Sequence, residues 1–195
     1  MAGELSGVWS PGKQPIWSAG QVRTGQLTDG AGRDLVMILK VFYSRGYGES
    51  AMDHVVYLDK KADELTRLLS GEKEMIIRGA AGRKMPYGRV SSGDVLYFLN
   101  NDGEGLVRAR AVVESVLNSE KMAKEQSVGL VQQHQEQLRL TDRQFKRWAG
   151  KRYLVLISLR DVEAVSPFEI DKSSYGNMDD WLPVETIEAV KMGDS

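Results

Sequence analysis

Seven residues late in the chain, Tyr153-Leu-Val-Leu-Ile-Ser-Leu159, put apolar side chains on both sides of any extended backbone. Successive side chains of a strand point to opposite faces, so a strand of this composition must be covered above and below. It is predicted to be a central strand buried between layers, and the rest of the chain has to supply those layers.

A second strand, Leu106 to Leu117, alternates: Val107, Ala109, Ala111 and Val113 point inward, while Arg108, Arg110 and Glu114 point out. Asn101-Asp102-Gly103 precedes it with residues that tolerate positive φ, which predicts a hairpin from a strand at Asp94–Asn100. Glu72 to Arg78 reads as a further strand, with Met75 and Ile77 on one face and Glu74, Ile76 and Arg78 on the other. The run from Leu35 through Tyr43 reads as a buried first strand.

Three helices are predicted. Residues 59–70 place Leu58, Ala62, Leu65, Leu68 and Leu69 on one face, with Asp59 as cap and Gly71 as stop. Ser119 to Leu138 is weakly patterned and rich in Gln, Glu and Lys. Residues 142–149 are better signalled: Thr141 and Gln144 form a capping box, Leu140 and Phe145 have the spacing of a hydrophobic staple, and Gly150 stops the helix. Short strands separated mostly by turns predict an α+β domain, a small mixed or antiparallel β-barrel with about three helices packed outside.

The ends differ from the middle. Residues 1–33 hold seven of the 20 glycines and no sustained periodicity, and are expected to form an irregular arm. Its Trp9, Ile16 and Trp17 offer anchors for docking onto the domain or for self-association with a second copy. Residues 34–184 are the expected domain, and 185–195 an acidic tail. From Asp171 to Ser195 six acids stand against two lysines.

Composition excludes several functions. Cysteine is absent, which removes disulfides, thiol nucleophiles, zinc ribbons and iron–sulfur clusters together. His54 and His134 have no metal-binding spacing, so no metal and no cofactor are expected. No apolar run reaches the ~18–20 residues of a membrane span, and the first residues lack a secretory pattern, so no membrane partner is expected. A reducing cytoplasm is the expected compartment. Net charge is −1, so any nucleic-acid affinity has to come from local clustering.

Such a cluster lies at residues 73–89, where Lys73, Arg78, Arg83, Lys84 and Arg89 face a lone Glu74. Glycine and proline make the stretch loop-like, so backbone N–H groups and guanidinium forks could approach phosphates together. Tyr87 adds a face for base stacking. Lys40 and Trp181 complete the candidate set for nucleic-acid or nucleotide binding; Trp181 also fits an anchor pinning the C-terminal segment. The same basic run fits a solvated loop. Gly79-Ala-Ala-Gly-Arg-Lys84 lacks the spacing and terminal hydroxyl of a P-loop. Adjacent carboxylates on irregular backbone often point apart, so Asp179–Asp180 is not taken as a metal or acid–base pair.

Leu69 to Arg78, Tyr87 to Asp94 and Arg152 to Phe168, taken in that order, resemble the PUA-like superfamily, particularly its ASCH and EVE-type branches, over roughly residues 35–184. Leu69-Ser-Gly-Glu-Lys-Glu-Met-Ile-Ile-Arg78 is similar to the ASCH phrase G-x-K-x-x-E/T-x-R. Tyr87-Gly-Arg-Val-Ser-Ser-Gly-Asp94 matches the turn before the next strand, and Arg152 to Pro167-Phe168 resembles the closing barrel strand followed by a proline.

The resemblance implies recognition of RNA or modified bases in a cleft bordered by the first helix, the basic loop and the barrel. It matches Lys73 and Arg78 to the family's lysine and arginine. An amidohydrolase branch uses lysine, threonine and a helix-borne glutamate. Here Ile76 stands at the hydroxyl position, and Glu136 is the nearest substitute for the glutamate. Three functions stay open: an RNA- or modified-nucleotide-binding module, a hydrolase acting on nucleosides or RNA through Lys73 and Glu136, and a protein-interaction module.

Overall fold

A computed structural model describes residues 51–173 and 180–192, together with the backbone of 27–28 and 34–35. The chain divides into two units, residues 1–42 and residues 43–195. In the first, Leu27–Thr28 (β1) pairs antiparallel with Asp34–Leu35 (β2). The expected strand over 35–43, including Lys40, otherwise lies outside the described residues, as do Trp9, Ile16 and Trp17 of the expected arm.

In the second unit six strands form one mixed sheet. They are Asp53–Leu58 (β3), Met75–Ala80 (β4), Val95–Asn100 (β5), Leu106–Asn118 (β6), Tyr153–Glu169 (β7) and Trp181–Val184 (β8). The spatial order is β4-β7-β6-β5-β3-β8; β3 and β5 run parallel and every other pair is antiparallel. Three strands separate β4 from β3 in that order. Yet the Arg78 guanidinium on β4 reaches the carbonyl of Tyr57 on β3, Nη2 to O at 2.6 Å. The sheet is therefore curled until its ends approach, which makes the α+β half-barrel.

The curl sorts the core. Ile76, Val56, Leu96, Phe98, Ala109, Ala111, Val113 and Ile157 fill the inside. Met75, Ile77, Leu154 and Leu156 face outward on the same strands and are covered by Val131, Leu138 and Trp148 from the helices and by Leu140 from the connection before the last of them. Tyr153–Leu159 is thus buried on both faces, as its composition requires. Burying a side chain of this size contributes roughly 1.5–3 kcal/mol.

The helices are Glu64–Leu69 (α1), Lys124–Gln133 (α2), Gln135–Leu138 (α3) and Asp142–Trp148 (α4). The expected helix over 59–70 is split. A 3-10 turn, Lys60–Ala62, is capped by Asp59, and Asp63 at φ 51° separates it from α1. The expected helix from Ser119 starts late because residues 119–122 still follow β7: Ser119 N donates to Leu154 O and Met122 N to Arg152 O, both at 2.9 Å. It breaks again at His134. The capping box at α4 is present, with Thr141 Oγ1 accepting from Gln144 N and Gln144 Oε1 accepting from Thr141 N.

Two strands were not legible in the sequence, β3 and β8, and β7 runs ten residues past its expected end at Leu159. The extension is mostly exposed and contains Pro167. Proline is tolerated because the β4 ladder ends at Ser158 and Pro167 falls in the irregularity of the β6–β7 ladder between Ala164 and Phe168, where it has no pairing partner. Beyond β8, Ile187 and Val190 are buried against Val55, Leu99 and Leu182.

Candidate functional site

Arg78 closes the seam of the half-barrel and is only 5% exposed. Its Nη1 donates to its neighbour Ile77 O at 2.9 Å, and its Nη2 to Tyr57 O. Its Nε lies 3.1 Å from Asp180 Oδ2 as an ion pair, without the alignment of a hydrogen bond. The guanidinium carbon sits 6.0 Å from the Trp148 ring centroid and 5.7 Å from that of Trp181. A planar cation between two indoles, with its N–H groups on carbonyls, is held rigidly.

Around Arg78 opens a cleft of about 610 Å³. That is within the ~300–1,000 Å³ range of sites for small organic ligands. Tyr57, Leu58 and Asp59 at the end of β3 form one side. The end of β4 and its loop, from Gly79 to Met85, form another. Gln144, Arg147 and Trp148 of α4, with Lys151, form the third, and Glu64, Asn101 and Asp180 complete the lining. Gly79 lets the strands approach closely there: a Cβ at this position would stand 2.6 Å from Leu154 Cδ2, so a larger residue would displace the buried Leu154 side chain.

The cleft carries four cations, Arg78, Lys84, Arg147 and Lys151. Arg147 lies on Trp148, its guanidinium carbon 4.4 Å from the ring centroid, and Nη2 is 3.6 Å from Asp180. Lys84, Arg147 and Lys151 are exposed. This borders the expected elements: first helix, basic loop and barrel.

Lys73 is elsewhere. It is 1% exposed, with Nζ 3.3 Å from Glu64 Oε1 and donating to Leu138 O. Burial pushes the ammonium below the usual lysine value, and the charge of Glu64 opposes that shift. Glu64 in turn accepts from Asp59 N at 2.8 Å. Lys73 therefore stands behind the cleft wall, joining α1 to α3. Glu136 is exposed on α3 and makes no ion pair with it. Ile76, at the position of the family's hydroxyl, is buried inside the barrel.

The other expected residues are distributed unevenly. Arg83 covers Tyr87 and Tyr153, with its guanidinium carbon 5.4 and 5.6 Å from their ring centroids. The Tyr87 hydroxyl donates to Ser119 O at 2.7 Å, and the ring does not line the cleft. Arg89 is exposed. Trp181 is buried in β8, where its Nε1 donates to His54 Nδ1 at 3.2 Å; His54 Nε2 faces Asp94 Oδ2 at 3.2 Å. Lys40 lies outside the described residues. Sequence reasoning missed Arg147, Trp148, Lys151 and Asp180 as cleft residues. The basic, aromatic end of α4 was the available signal.

Among the described residues no group of three His, Asp or Glu side chains could hold a metal ion. No helix among them is long and apolar enough to cross a membrane.

No family model matches this chain, and no curated protein matches it in sequence. Solved structures do. An ASCH protein from Zymomonas mobilis is similar to it over 70% of this chain and 90% of its own, at TM-score 0.52 and 16% identity. A Tyr-to-Phe and a Ser-to-Ala mutant of that protein match with the same TM-score and identity, covering 93% and 91% of their chains. The likeness is one of fold, an ASCH/PUA-like α+β half-barrel.

Proposed function

We propose that this ASCH/PUA-like domain binds RNA or a modified nucleotide in the cleft beside Arg78. One observation carries the reading: Lys84, Arg147 and Lys151 ring a concave site whose wall is Trp148 with a guanidinium lying on it. Phosphates are met by exposed cations on separate elements, and a base is met by an indole or guanidinium plane. Arg78, fixed by the Tyr57 carbonyl and Asp180, supplies a rigid polar floor. The buried Lys73–Glu64 pair serves as a strut under this floor. A cysteine-free chain with this ligand class suits a reducing compartment such as the cytoplasm.

The test is anisotropy titration of a labelled single-stranded RNA at several salt concentrations. Affinity should fall as salt rises, and the double variant Arg147→Ala/Lys151→Ala should flatten the slope by roughly 0.7 for each lost phosphate contact. Salt-independent binding, or a double variant with the wild-type slope, overturns the reading.

A further inference from the structure

The cleft does not stop at Asp59. The surface continues past it into a second hollow of about 450 Å³, whose lining includes Lys60, Lys61, Asp102 and Arg143. The two hollows share Asp59, Asn101, Gln144 and Arg147, so they form one continuous depression.

The turn that carries the two lysines is fixed from several sides. Lys60 N donates to Asn101 Oδ1 and Lys61 N to Asp59 Oδ1, both at 3.0 Å. Arg143 Nη2 lies 2.5 Å from Asp59 Oδ2, and Asp59 N donates to Glu64 Oε2. The backbone is thus held by β5's hairpin turn, by α1 and by α4 together. The charges are not equally compensated. Asp59 offsets Arg143, and Asp180 stands near Arg147. Lys60 and Lys61 are exposed and make no ion pair among the described residues. With Asp102 counted, four cations (Lys60, Lys61, Arg143 and Arg147) line the hollow against two carboxylates (Asp59 and Asp102), and the excess in a concave wall concentrates positive potential at one place. The hollow offers no aromatic plane, so its chemistry suits phosphate oxygens and not a base.

We propose that this hollow holds the phosphodiester of a nucleotide flanking the one in the cleft. The ligand is then a single strand of RNA and not a free mononucleotide. This rests on the reading of the cleft given above, and adds to it the ligand's length and the side from which the strand leaves. Contacts of this type set position and affinity without reading sequence.

The probes are a labelled mixed-sequence ten-nucleotide RNA and the four nucleoside 5′-monophosphates. The wild type should bind the ten-mer at least roughly tenfold tighter than any monophosphate, since each added phosphate contact strengthens binding. Lys60→Ala/Lys61→Ala should remove most of that advantage and flatten the ten-mer's salt slope by about 0.7, the value for one phosphate, with monophosphate binding unchanged. Lys60→Arg/Lys61→Arg should keep both. If monophosphates bind and the ten-mer binds no tighter, or the alanine pair leaves its affinity and slope intact, this proposal is overturned while the cleft reading stands. If neither probe binds, both fall.

Discussion

The indole of Trp181 gives its N–H to His54 Nδ1 across 3.2 Å, joining two fully enclosed side chains 127 positions apart. Because an indole can only donate, His54 must accept at Nδ1 and carry its proton at Nε2, which then faces Asp94. Asp94 Oδ1 and Oδ2 also accept from Met52 N at 3.0 Å and Ser91 N at 2.8 Å. A buried polar chain of this kind is satisfied only as a whole. Trp181→Phe leaves His54 without its donor and should cost about 1–3 kcal/mol in urea unfolding. A stability equal to wild type would mean that β8 is held by apolar packing alone.

Asp94 gives the same chain a pH dependence. Burial would raise its carboxyl, but the hydrogen bonds from His54, Met52 N and Ser91 N outweigh that and hold it below the usual 3.8. A carboxylate depressed in the folded state stabilises the fold above its unfolded value, and the contribution fades as pH falls toward the folded one. Asp94→Asn should therefore be about 1–3 kcal/mol less stable near neutrality, with the gap narrowing below about pH 3.8. A gap that stays constant through the acid limb contradicts this.

Lys73 and Glu64 are a buried pair in which each protects the other. Lys73→Met alone should cost about 3–5 kcal/mol, because it strands a buried carboxylate and removes the donor to Leu138 O. Lys73→Met/Glu64→Gln should recover a large part of that loss. Denaturation of both single variants and the double variant gives the coupling directly; strict additivity would deny the pairing.

Tyr87 and Arg147 separate fold from binding. Tyr87→Phe removes the donor to Ser119 O and should cost about 0.5–1.5 kcal/mol of stability while RNA affinity stays at the wild-type value. Arg147→Ala, on an exposed side chain, should do the opposite, weakening every RNA ligand and flattening the salt slope by roughly 0.7. A Tyr87→Ala protein that stays folded but loses RNA would place the base on the basic loop instead.

The cap of α4 is a local device and should behave as one. Thr141→Ala removes the acceptor for Gln144 N and should lower stability by about 0.5–2 kcal/mol. Thermal melting checks it, with RNA binding unchanged at a temperature where both proteins are folded.

What the sequence by itself determined is the part set by neighbours a few residues apart. The alternation of Val107, Ala109, Ala111 and Val113, all fully buried, follows from the strand's period. The Thr141–Gln144 box and the turn after Asn100 follow from side chains that bond or bend the adjacent backbone. Two-sided burial at Tyr153–Leu159 follows from composition. The barrel class was legible because these pieces leave few other ways to cover such a strand.

Only the tertiary structure decided the rest. Asp53-His54-Val55-Val56-Tyr57-Leu58 hides a strand because His54 looks solvent-facing until Trp181 and Asp94 enclose it. Arg78, at the end of a strand in the sequence reading, was offered as a fork for the ligand, and becomes a rigid staple once Tyr57 and Asp180 reach it. Tyr87 looked like a stacking ring until Arg83 and the Ser119 carbonyl were brought to it. The physical reason is common to all three. Apolar periodicity tells how a residue relates to water, but a buried polar group is defined by its partner, and that partner is chosen by the fold.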